Sequence, residues 1–412
     1  MALETRVLQA DEWDVWYDQL VLAFGGVPET AEERELYRSL TETERSLGVW
    51  DDDGTCVATA GAFSFRLSVP GGALVPAAGV TMVGVSPTHR RQGVLTSLMR
   101  RQLDDVRAGG EPIAVLTASD PAIYGRFGYG TAAYSMSVEI DKTRVRLTVP
   151  PGTDDVRLRL VDPRKALADC ERVYAALLAG RPGMPARQPG WELQALLDPE
   201  ADREGASPLK CVVAERADGE VVGYARYRVK PVWDLTGSDG RVDVQDLDAL
   251  DPVAYAALWR YVCSIDLTWT VSAPKRPADD ALLHLLTDLR RSQVRLRDSM
   301  HVRLVDLPAA LAARSYRTPL DVVLEVEDAF CPWNTGRWRL TAGADGTAVC
   351  TRTEDPADLE LAVRELGAAY LGGVTLNSLA AAGLVREVRA GALAPVSRAF
   401  AGDVAPWLPH GF

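Results

Sequence analysis

The sequence predicts a mixed α/β (α+β) fold in three compact units, two of which are copies of one plan. Three observations carry this reading. The chain has 412 residues, longer than one typical domain and long enough to bury ample core. Runs of period-two, β-branched residues alternate with runs whose apolar residues recur at helical spacing. And one order of elements, strand then helix then two-strand hairpin, occurs twice along the chain.

The first unit, residues 1–150, opens with a strand and helix in TRVLQADEWDVWYDQLVLAF. Gly48 to Phe65 reads as a hairpin turning at Asp53-Gly54. A strand follows at Val80 to Val85, then a helix opening after Gly93, a strand at Ile113 to Thr117 and a short helix. The second unit, residues 151–300, repeats this order. VRLRLVDPRKALADCERVYAALLA gives strand and helix, and Cys211 to Val229 is a hairpin turning at Asp218-Gly219. A strand at Val242 to Leu247, a helix near Ala254 to Cys263, a strand at Leu267 to Ser272 and a helix near Asp279 to Leu289 complete it. The third unit, 301–412, starts near His301 with a strand and helix. It continues through strands in LDVVLEVEDAF and GRWRLTAGADGTAVCTR to a strand and helix in DLELAVRELGAAYL.

The segment of most chemical content is Val83 to Gly93, VGVSPTHRRQG, which runs straight into VLTSLMRRQLDDV. A strand ends there in a basic, glycine-closed turn that opens an amphipathic helix, with Leu95, Leu98, Met99 and Leu103 at helical spacing. A helix N-terminus presents unpaired N–H groups and partial positive charge, which suit a diphosphate. Arg90 and Arg91 add charge, and Gly93 lets the backbone come close. The turn is too short for GxxxxGKS and lacks GxGxxG, which argues against nucleoside triphosphates and dinucleotides.

This turn resembles the acetyl-CoA signature of the GNAT superfamily of N-acetyltransferases, R/Q-x-x-G-x-G/A, with Leu95 departing from the last position. An RRxG-x-L turn preceded by V-x-V-x-P is similar to the enhanced intracellular survival (Eis) branch of that superfamily. So are IYGRFGYG, Ile123 to Gly130, and a chain ending on an aromatic residue after a Pro/Trp-rich tail. The resemblance implies two tandem acetyltransferase folds followed by a sterol-carrier-like domain, whose late stretch is TLNSLAAAGLVRE. It implies acetyl-CoA as co-substrate, held by Val83 and Val85 on the pantetheine arm and by Arg90, Arg91, Gln92, Gly93, Val94 and Leu95 around the diphosphate. It also implies a homohexamer. The second copy carries DALDP, residues 248–252, where the cradle would be; acid there repels a diphosphate, so one acetyl-CoA per chain is expected. The third unit is expected to scaffold the tail, with lipid carriage as the alternative.

Composition narrows the partners. The net charge of −12 disfavours nucleic acid and favours cationic small molecules. The opening MALETRVLQADEWD has no apolar leader and no run of eighteen apolar residues follows, so a cytoplasmic protein without a membrane span is expected. Six scattered cysteines without CxxC, and four histidines without ligand spacing, point to reduced, buried thiols and no metal.

Acetyl transfer to an amine asks for removal of an amine proton, donors for the developing oxyanion and a proton for the departing thiolate. No nucleophile motif such as GxSxG is present, which fits direct transfer. Tyr124 follows Ser119-Asp120-Pro121, a cap followed by a favoured first helical position. That site matches the family's general acid, and a phenol with a pKa near ~10 is protonated at neutral pH. Tyr129 is the second candidate. No Asp or Glu lies in a compelling position for the base, DDDG at 51–54 reading as a turn. The resemblance instead implies the α-carboxylate of Phe412, carried on a tail, DVAPWLPHGF, stiffened by two prolines. Trp13, Trp16, Phe24, Tyr37, Glu32, Glu33 and Glu35 are candidates for the wall of an acceptor groove for an aminoglycoside- or polyamine-like amine or a lysine, with helix packing the expected role of most of them. The reading from another class is a non-catalytic acyl-CoA-sensing or lipid-binding protein.

Overall fold

The computed structural model describes residues 3–235 and 237–412. The first seven-stranded sheet has the spatial order Glu4–Val7, Leu47–Trp50, Cys56–Ser68, Leu74–Val85, Ile113–Thr117, Met300–Leu304 and Gly130–Thr131. The second repeats the plan as Arg295–Asp298, Tyr134–Asp141, Thr268–Pro277, Gly240–Ala249, Val221–Lys230, Lys210–Glu215 and Arg157–Val161. A five-stranded sheet, Ala348–Arg352, Gly336–Ala342, Leu320–Glu327, Leu359–Ala362 and Val385–Glu387, forms the third unit.

Local chemistry accounts for the repeated elements. In the first hairpin the Asp51 carboxylate accepts from the backbone N–H groups of Asp53 and Thr55, at 3.0 and 2.9 Å. Gly54 takes the left-handed conformation the turn requires (φ +77°). The helix Val94–Ala108 buries Val94, Leu98, Met99, Leu103 and Val106. That face fixes its N-terminus against the sheet.

The two large sheets do not follow the segments 1–150, 151–300 and 301–412. Tyr134–Asp141 crosses over to pair antiparallel with Thr268–Pro277, Ile140 opposite Val271. Met300–Leu304 returns to pair antiparallel with Ile113–Thr117, Val302 opposite Val115. The strand near His301 therefore closes the first sheet instead of opening the third unit. Alternation of apolar residues sets that a segment is a strand, but both exchanged strands are buried on a similar apolar pattern, and the pattern names no partner. The helix expected over Asp279 to Leu289 is also shorter, Leu282–Leu285. Its last carbonyl accepts from Thr148 N–H and Leu286 bridges to Leu147, which draws the chain into extended form.

The third unit docks closely on the first. A Cβ on Gly130 would lie 2.0 Å from the Arg364 carbonyl oxygen, and one on Gly128, which has φ +85°, would lie 2.7 Å from the Arg303 guanidinium. Two glycines of IYGRFGYG are thus required by the approach of the helix Val363–Ala369 and of buried Arg303. Among the described residues no helix is long and apolar enough to cross a membrane. Five of the six cysteines are buried and Cys263 half-buried, all free, and no group of three His, Cys, Asp or Glu is arranged as metal ligands among the described residues.

Candidate active site

Strands Leu74–Val85 and Ile113–Thr117 run parallel but pair only from Ala77 opposite Ile113 to Gly79 opposite Val115. Beyond Gly79 they splay. The edge of Val80 to Val85 facing the second strand is left without a ladder partner, and a cavity of about 1160 Å³ opens there. Met82 sits at φ +52° within a register shift against Cys56–Ser68. Its carbonyl accepts from the Thr59 hydroxyl at 2.7 Å. The kink is held from behind, which leaves the cavity edge free.

At one end of the cavity lies the glycine-closed turn. Gly93 (φ +85°) is the N-cap of the helix and contributes no side chain to cap it. Among the described residues nothing lies within 4 Å of where its Cβ would be. The first N–H groups of the helix therefore remain available to an anion. Val83, Val85, Arg90, Arg91, Gly93, Val94 and Leu95 all line the cavity. Leu95, expected on the buried face, is half-buried against the core and also borders the cavity. Arg91, itself at φ +63°, is exposed. Arg90 is already engaged: its Nε donates to the Val85 carbonyl at 3.2 Å and its Nη2 to the Ala23 carbonyl at 3.1 Å. Gln92 lies outside the lining, its amide donating back to the Thr88 carbonyl at 3.0 Å. These features fit a diphosphate and an extended amide-bearing arm.

Tyr124 occupies the last position of the four-residue helix Pro121–Tyr124, where Asp120 caps Ala122 N–H at 3.1 Å. Its ring lines the cavity. Burial, with nearby Asp120 adding to it, pushes its hydroxyl up to about 12, so it is a phenol at neutral pH. Tyr129 stacks edge-on at 6.0 Å from Tyr124 but is 1% exposed and does not reach the cavity. Its hydroxyl has no hydrogen-bond partner among the described residues.

Phe412 also lines this cavity. The tail reaches it by a sequence of fixed contacts. Ala405 N–H donates to Asp279, Trp407 N–H to the Pro182 carbonyl and the Trp407 indole to the Lys275 carbonyl, at 2.8, 2.8 and 2.7 Å. His410 stacks on Trp191 with centroids 6.0 Å apart, and burial holds its imidazole neutral, down to about 3. Gln194 donates to the Gly411 carbonyl at 3.1 Å, and the Phe412 ring packs edge-on against Phe65 at 5.0 Å.

The remaining wall takes only part of the candidate set, and the two tryptophans pack in the core, as expected for most of that set. Phe24 and Tyr37 line it, but Trp13 and Trp16 are buried at 2% and 0% exposure. Glu32, Glu33 and Glu35 stay outside, Glu33 closing a capping box with Thr30. In their place stands Glu29, which accepts a 2.5 Å hydrogen bond from Tyr17, both on the cavity. The pair was missed because Glu29 lies in an irregular stretch twelve residues from Tyr17, with no periodic signal to connect them.

A splayed parallel strand pair, a glycine-closed turn and an open helix N-terminus on one cavity define a CoA-dependent acyltransferase of the GNAT class. Family models described as acetyltransferase (GNAT) domains match residues 4–132 and 183–304, and one described as a sterol carrier protein domain matches 307–409. The chain is 64% identical to a Streptomyces avermitilis protein described as an uncharacterized N-acetyltransferase, over the whole of both. It is 34% identical to N-acetyltransferase Eis of Mycobacterium tuberculosis over 90% of each. The crystal structure of Eis1 from Mycobacterium abscessus superposes over all of both chains with a TM-score of 0.84 at 35% identity. The chain belongs to the Eis family of GNAT N-acetyltransferases. Its fold, two acetyltransferase units and a sterol-carrier unit, is the one the sequence resemblance implied.

Proposed function

We propose that the first unit transfers the acetyl group of acetyl-CoA directly to an amine of a small cationic molecule, aminoglycoside- or polyamine-like, or of a lysine. One observation carries this: the open turn, Tyr124 and the chain end at Phe412 converge on a single cavity. When bound, acetyl-CoA supplies the thioester. Arg91 and the N–H groups following Gly93 hold its diphosphate, while Val83 and Val85, beyond the last residue paired with Ile113–Thr117, line the stretch of cavity that takes its arm. Arg90 acts by tying the turn to the Ala23 carbonyl. The Tyr124 phenol is the proton donor to the leaving sulfur, and the Phe412 carboxylate accepts the proton of the incoming amine.

The acceptor class follows from the opposite wall. Phe24 and Tyr37 offer aromatic surface and Glu29, held by the Tyr17 hydroxyl, a carboxylate, a combination that holds an alkylammonium by charge and cation–π attraction. The net charge of −12 favours cations and disfavours nucleic acid. A homohexamer carries over from the family resemblance, and a cytoplasmic enzyme without membrane or metal partners from the sequence composition. Thiol release from acetyl-CoA, followed with an aminoglycoside, a polyamine and a lysine peptide in turn, tests the proposal. Amine-dependent release with at least one is expected. Tight acetyl-CoA binding without release for any of them would leave a sensor.

A further inference from the structure

The second unit keeps the geometry of the cleft but not its chemistry. Gly240–Ala249 and Thr268–Pro277 run parallel and pair only through Asp243 opposite Ser272. Beyond that they splay as their counterparts do, around a cavity of about 700 Å³. That volume is in the range of small-molecule sites, roughly 300–1,000 Å³.

A diphosphate does not fit. The helix Pro252–Ser264 is closed by its own N-cap, the Asp251 carboxylate accepting from Ala254 N–H at 2.8 Å. Nor, among the described residues lining the cavity, does a carboxylate ligand find a free cation. Arg276 donates from Nε to Asp280 at 2.7 Å and from Nη1 to the Leu247 carbonyl at 2.7 Å. Arg181 is held by Asp279 and the Ala405 carbonyl, at 2.7 and 2.8 Å.

The group left over is Asp248. It lines the cavity at 5% exposure, and its Oδ2 accepts from the Tyr224 hydroxyl at 3.0 Å. Among the described residues no hydrogen bond ends on its Oδ1, and no ion pair reaches it. Burial raises its pKa, with Arg276 opposing from a distance. A carboxylate so placed carries a desolvation cost that a cation with an N–H would offset. The rest of the lining is largely apolar, with Leu177, Met184, Leu250, Leu285 and Trp407 among it.

We propose that this cleft binds an ammonium carried on an apolar body, with Asp248 holding the charged end and Trp407 forming part of the wall. Trp407 belongs to the tail that leads to Phe412, so the ligand of the second cleft packs directly against that tail. The inference is independent of the catalytic role assigned to Phe412, since its readouts are binding and backbone exchange.

Calorimetry on the full chain with N,N-dimethyloctylamine tests it, because a protonated tertiary amine keeps one N–H and cannot be N-acetylated. Octanoate serves as the anionic probe of the same length. The amine is expected to bind this cleft once per chain. Asp248→Asn should weaken that binding about tenfold or more. Ala176→Trp, which places a bulky ring at an exposed, cavity-lining helix position, should abolish it, and octanoate should not bind there. Amide exchange in residues 405–412 should slow on amine binding. Amine affinity unchanged in both variants, or octanoate binding as tightly as the amine, overturns the site. Binding that obeys both variants but leaves tail exchange unchanged overturns the part given to Trp407.

Discussion

The two acetyltransferase units share a splayed strand pair and a helix pointing its N-terminus into the gap, and they differ in who occupies that N-terminus. In the first, Gly93 caps the helix without a side chain and the N–H groups face open space. In the second, Asp251 fills the position with its own carboxylate, and Asp248 adds a buried acid to the cavity. Two changes of residue type convert an anion site into an anion-repelling one while the backbone keeps the cleft. Fold duplication therefore preserves the cavity more readily than its chemistry, and function has to be argued from the caps.

The tail sharpens the contrast, because it runs from one cleft to the other. Residues 405–407 are held by the second unit, and Phe412 ends in the first. The largest expected effect comes from lengthening it. One residue added after Phe412 moves the carboxylate by about 3.3–3.6 Å, beyond hydrogen-bond reach of the amine. Turnover should fall about 10³-fold with acetyl-CoA affinity retained. Wild-type turnover in a folded, extended chain would pass the base to Glu29, the carboxylate on the acceptor wall.

Next is Tyr124→Phe, which keeps the ring packing against Tyr129 and removes the proton donor. A loss of about 10²-fold in kcat with acetyl-CoA affinity unchanged is expected from steady-state kinetics. Near-normal kcat would assign protonation to water, since Tyr129 does not reach the cavity.

The smallest effect probes the second cap. Asp251→Ala should lower stability by about 0.5–2 kcal/mol in urea denaturation, the usual cost of a lost N-cap. It should not create an acetyl-CoA site, because Asp248 still faces the cavity. A gain of acetyl-CoA binding would mean that the cap alone separates the two clefts.

Much of this comparison is legible in the sequence. The RRQG turn, the DALDP counterpart, both hairpins and the capped helix that ends at Tyr124 are local features, set by residues a few positions apart. The rest depends on contacts remote in sequence. The exchange of strands Tyr134–Asp141 and Met300–Leu304 has no local signature. Glu29 gains its place only when Tyr17 is folded beside it. Gly128 and Gly130 read as part of a family motif, while their physical reason, the approach of Arg303 and Arg364, lies about 175 and 234 residues further along the chain. Arg90 looks like a phosphate ligand until the Val85 and Ala23 carbonyls are found on it.

Calorimetric titration of the full chain with acetyl-CoA tests the central claim, that the first unit alone keeps the cradle. The account predicts one site per chain, weakened about tenfold or more when Arg91→Ala is combined with Arg90→Ala and unmoved by Asp248→Asn. Two sites per chain, or one site indifferent to the arginines and sensitive to Asp248, would contradict it.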